Sequence, residues 1–74
     1  MEINFHGDRS NNLSIDVGDM LRFVDVGGKI RQGLLVEIEK CGFPRQGIVH
    51  LHLLEGSALN KVNTSLIFKC RKVL

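Results

Sequence analysis

Tryptophan and tyrosine are absent from this 74-residue sequence, and four phenylalanines are its only aromatic residues. Two familiar uses of small β domains fall with them. A proline-rich ligand docks in a groove walled by tyrosine and tryptophan, and a methyl-lysine cage needs several aromatic faces around the cation. Long apolar runs are also missing. Runs such as Leu34-Leu35-Val36 and Leu53-Leu54 fall far short of the ~20 residues that span a bilayer. The start, Met1-Glu2-Ile3-Asn4-Phe5-His6, lacks the basic and apolar regions of a secretory signal. Cysteine occurs twice, as Cys41 and Cys70, without CxxC or other ligand spacing. Two reduced thiols in a cytoplasmic protein are therefore expected in preference to a disulfide.

Recognisable catalytic motifs are lacking as well. Glu55-Gly56-Ser57-Ala58 is not a nucleophile elbow, and Gly27-Gly28-Lys29 lacks the spacing and following helix of a phosphate-binding loop. The expectation is a non-enzymatic chain with no cofactor and no catalytic residues.

What the sequence does contain is a regular rhythm of turns. Gly7-Asp8, Asn11-Asn12, Gly18-Asp19, Gly27-Gly28, Cys41-Gly42-Phe43-Pro44, Gly56-Ser57 and Asn60 punctuate short runs rich in valine, isoleucine, leucine and phenylalanine. That pattern predicts an all-β domain, and 74 residues make one domain. Met20–Val26 reads as a strand with Leu21 and Phe23 on one face. Ile30–Lys40 reads as a long strand whose unbroken alternation sets Leu34, Val36 and Ile38 toward the core and Leu35, Glu37 and Glu39 away from it. Gly47–Glu55 repeats the pattern, with Val49, Leu51 and Leu53 opposing Ile48, His50, His52 and Leu54. Ala58–Val62 reads as a short strand, Asn63-Thr64-Ser65 as a turn or 3₁₀ step, and Ile67–Leu74 as the last strand.

This order resembles the Src-homology-3-like (SH3-like) small barrels. The resemblance rests on Val17-Gly18-Asp19-Met20-Leu21-Arg22-Phe23, Gln32-Gly33-Leu34-Leu35-Val36-Glu37-Ile38, Gly47-Ile48-Val49-His50-Leu51 and Val62-Asn63-Thr64-Ser65-Leu66. It implies a single five-stranded SH3-like barrel over residues 17–74, with residues 1–16 as an added N-terminal strand or arm. Gly-Asp before the first barrel strand and a glycine inside the second recur in KOW-type barrels. The layout also resembles the plasmid-type dihydrofolate reductases, which build one active site from four barrels. Their Val-Gln-Ile-Tyr signature has no counterpart in Ser57-Ala58-Leu59-Asn60-Lys61-Val62, so their catalysis does not carry over.

Several residues remain as candidates for contact. Leu35, Ile48 and Leu54 fall opposite the inferred core series and suggest an aliphatic patch for a protein partner or a second copy of the chain, unless a bent barrel buries part of both faces. Phe43 and Arg45 sit in the long loop between strands, which reads either as an exposed contact tip or as a turn with Phe43 tucked into the core. Charge is uneven: acidic residues outnumber basic ones over 1–39, and Lys40, Arg45, Lys61, Lys69, Arg71 and Lys72 face only Glu55 over 40–74. Lys61, Lys69, Arg71 and Lys72 are candidates for phosphate contact with nucleic acid. His50 and His52 share a strand face at i and i+2, with His6 or a cysteine as a conceivable third donor. Two histidines without a spaced third ligand do not define a metal site, and none is expected there.

The leading expectation is a small cytoplasmic binding module acting through protein contacts, as a homo-oligomer or as an adaptor or inhibitor of a larger assembly, of the kind that phages and mobile elements encode. The alternatives are a nucleic-acid-binding barrel and an oligomeric enzyme with its site on a symmetry axis.

Overall fold

The computed structural model describes residues 1–5, 12–40 and 49–73. The regular elements among these described residues are seven β-strands and one 3₁₀ turn. Strands β3 (Met20–Val24), β4 (Ile30–Lys40), β5 (Val49–Glu55), β6 (Ala58–Asn63) and β7 (Phe68–Val73) make an antiparallel sheet in the order β6-β5-β4-β3-β7. The 3₁₀ turn Thr64–Leu66 links β6 to β7, and its entry is held by the Ser65 amide donating to Asn63 Oδ1 at 2.9 Å. The five strands and the turn between the last two follow the order expected from the sequence. The ladder is open, since β6 and β7 form its two edges. No helix among the described residues is long and apolar enough to cross a membrane.

The β3–β4 hairpin turns on Asp25, whose Oδ1 accepts from the amides of Gly27 and Lys29, both at 2.9 Å. Gly28 takes φ +80° there, a conformation that costs glycine nothing because it has no Cβ. One core joins the strands: Leu21, Phe23, Leu35, Leu51, Leu53, Val62, Ile67 and Cys70 are buried together. Cys70 is a free thiol.

Of the N-terminal segment, residues 1–5 and 12–16 are described, and they carry the added-strand reading. Strands β1 (Glu2–Asn4) and β2 (Asn12–Ser14) pair antiparallel as a separate two-stranded sheet, and Ile3, Phe5 and Ile15 are buried in the same core as the main sheet. Burial of these three apolar side chains favours the docking of the two short strands.

The face assignment along β4 needs correction. Leu35 is fully buried, whereas Val36 is exposed and Leu34 is half-buried. The cause is a β-bulge. Leu35 pairs with Leu53 and Glu37 with His52, leaving Val36 as an extra residue with no cross-strand partner. Before the bulge the inward series is Gly33 and Leu35; beyond it Ile38 faces Leu51. A single extra residue shifts the period of two by one. Leu35 is therefore a core residue and no part of a contact patch.

Candidate contact face and charged clusters

Residues directly opposite one another in a ladder point to the same side of a sheet, so the pairing register defines the rows on the outer face. One row crosses all five strands: Val73 on β7, Met20 on β3, Leu34 on β4, Leu54 on β5 and Leu59 on β6. Every member is aliphatic. Leu54 and Leu59 are exposed at 37% and 61%, and Val36 in the bulge adds a further exposed side chain beside the row. Met20, Leu34 and Val73 are half-buried.

Two polar rows flank it. On one side Arg71 stands opposite Arg22, and Arg22 opposite Gln32, with Arg22 Nε donating to Gln32 Oε1 at 2.9 Å. On the other side Glu37 stands opposite His52, and His52 opposite Lys61. Beyond that lie Glu39, His50 and Asn63. The outer face is thus an apolar band with a basic margin and a margin rich in carboxylates. Beyond the bulge at Val36, Glu37 and Glu39 share the outer face with the two histidines. His52 Nε2 contacts Glu39 Oε1 at 2.8 Å and Glu37 Oε2 at 3.8 Å. The His52 hydrogen bond, helped by the charge of Lys61, holds the Glu39 carboxyl below its usual range.

A second cluster closes one end of the core. Arg31 lies over the Phe23 ring, 5.3 Å from its centroid. Arg31 pairs through two nitrogens with the Glu55 carboxylate, and Asn60 Nδ2 donates to Glu55 Oε1 at 3.0 Å. The hydrogen bond to Arg31 is the largest cause of a lowered Glu55 pKa and of a raised Arg31 pKa. An open groove of about 650 Å³ runs beside this pair, lined among others by Val26, Lys29, Lys61, Asn63 and Leu66. Arg31 is committed to Glu55, so the cluster is a structural clamp on the edge of the core.

The remaining candidates distribute as follows. Leu54 lies on the outer face as expected. Phe43, Arg45, Ile48, His6 and Cys41 lie outside the described residues. The four cations that were candidates for phosphate contact do not make one strip in the sheet. Lys61 is on edge strand β6, while Lys69, Arg71 and Lys72 are on the opposite edge strand β7. Lys69 sits at a register shift with φ +50°, and Lys72 Nζ turns to Asp19 at 3.8 Å. Sequence reasoning missed Met20, Leu34, Leu59 and Val73 as surface residues, and Glu37 and Glu39 as partners of His52. Cross-strand register joins these residues, and one strand's alternation does not reveal it.

Fold and surface together define a small all-β module with an aliphatic sheet face between charged margins. No protein-family model, curated protein or solved structure matches the chain.

Proposed function

We propose that this chain is a protein-binding module that works through the outer face of its sheet, with a second copy of the chain as the occupant. The observation that carries the reading is the uninterrupted aliphatic row Val73–Met20–Leu34–Leu54–Leu59. Mated sheet faces bury such rows about 10 Å apart.

Charge favours a second copy over an unrelated partner. A two-fold axis lying along the apolar row stacks two sheets face to face and reverses the order of the margins. The Arg22 and Arg71 margin of one copy then approaches the Glu37 and Glu39 margin of the other, an isologous arrangement in which each contact occurs twice. A standard interface of about 800 Å² per partner would take roughly a sixth of the chain's 4917 Å² surface. Phosphate binding has less support, because Lys61 is separated from the β7 cations across the sheet.

Sedimentation velocity and light scattering in chelator, over a range of concentration and salt, test the reading. The expected result is a dimer that weakens with salt as the margins are screened. Leu54→Asp and Leu59→Asp should give folded monomers, as judged by circular dichroism. Arg22→Glu should weaken the dimer, and adding Glu37→Arg should restore it. A strict monomer at every concentration, or a dimer indifferent to both aspartate variants, overturns the proposal.

A further inference from the structure

We propose that Glu37, Glu39 and His52 form a binding site for a divalent transition-metal ion of the zinc class. One ligand atom from each of the three lies within 4.8 Å of the others. The closest approaches, His52 Nε2 to Glu39 Oε1 at 2.8 Å and to Glu37 Oε2 at 3.8 Å, bracket what a metal requires. Donors bound at about 2.0–2.2 Å in a tetrahedron stand roughly 3.3–3.6 Å apart. Small rotations of two glutamate side chains are enough to reach that spacing, and both side chains have an exposed surface in which to move.

The donor set selects the ion. One imidazole nitrogen with two carboxylate oxygens suits zinc and its neighbours, whereas magnesium and calcium prefer oxygen alone. Three protein ligands leave the remaining positions to water, the arrangement of an open site. Charge points the same way. Glu37 and Glu39 lie at i and i+2 on one face, so their like charges repel, and a single imidazole cannot compensate both. Lys61, opposite His52 on β6, supplies part of that compensation. It is exposed on an edge strand, so its ammonium can leave when a cation enters. The site is a different set from the pair His50 and His52, because the β4–β5 register stands Glu37 directly opposite His52.

The inference does not rest on the proposed dimer. The untagged chain, stripped with chelator and dialysed, is titrated with zinc against a chromophoric competitor, with magnesium as a comparison. One equivalent of zinc should bind, and magnesium should not compete. His52→Gln and the Glu37→Gln/Glu39→Gln pair should each lose at least about tenfold in affinity, the loss typical when a metal's surroundings are altered. Thermal unfolding of the metal-free variants checks that they fold. Lys61→Ala should bind zinc more tightly, which a purely structural ion pair does not predict, and Leu54→Asp should bind as the parent does. Absence of binding overturns the proposal. So does binding that survives His52→Gln, or that disappears with Cys41→Ser.

Discussion

Cys70 sits in the core with Phe23, and burial pushes its thiol from the ordinary value of 9.0 up to about 12. At neutral pH the reactive thiolate is therefore suppressed in the folded chain. In a Cys41→Ser background, a thiol reagent should label Cys70 only at the rate at which the chain unfolds. Fast labelling under native conditions would contradict its placement in the core. The same burial has a pH consequence. The unfolded thiol ionises near 9.0 while the folded one keeps its proton to about 12. Between those values only the unfolded state releases the proton. The contribution is intact below pH 9 and stability falls as pH rises across that window. Urea unfolding from pH 8 to 11 should show a shallower decline in Cys70→Ala than in the parent. Equal slopes would remove the thiol as the cause.

At the scale of the element, β4 governs which side chains reach the surface. Its inward position 33 is tight for any side chain. A Cβ there would lie 3.1 Å from Leu53 Cβ, 3.2 Å from the Leu54 carbonyl oxygen and 2.9 Å from Glu55 Cγ. Two of those neighbours belong to or adjoin the backbone of β5 and yield little. Gly33→Ala should therefore cost about 1–3 kcal/mol, the usual penalty for overpacking, read as a lowered urea midpoint at unchanged slope. An unaltered midpoint would show that β5 gives way freely. Three residues further on, the bulge at Val36 settles the surface. It lets Leu34 join the outer aliphatic row while Ile38, an even number of positions away, faces the core side. Alternation read along β4 alone correctly places Ile38, Glu37 and Glu39 but inverts Leu34 and Leu35. No residue type in Leu34-Leu35-Val36 marks the bulge, because all three are apolar and fit either face.

For the whole molecule, the N-terminal hairpin decides whether the sheet has a complete core. Ile3, Phe5 and Ile15 are each no more than 3% exposed, and they share one buried cluster with the main sheet. A domain of this length is stabilised by roughly 4–11 kcal/mol, and Phe→Ala in a core costs about 3–5 kcal/mol. Phe5→Ala should consequently lower the thermal midpoint sharply, and residues 17–74 alone should not unfold cooperatively. A truncated chain with the parent's melting curve would restore the reading of 1–16 as an arm.

The sequence by itself determined the all-β class, the order of the five strands of the main sheet, a turn or 3₁₀ step before the last strand and the lack of tryptophan and tyrosine. These follow from local matters: turn residues, β-branched runs and the residues simply not present. Tertiary structure alone decided the rest. Where Leu35 and Leu34 point, which cations share an edge, what His52 touches and where Ile3, Phe5 and Ile15 are buried all depend on register between strands distant in the chain. Register is settled by packing across the sheet, and one extra residue in a ladder is enough to change it.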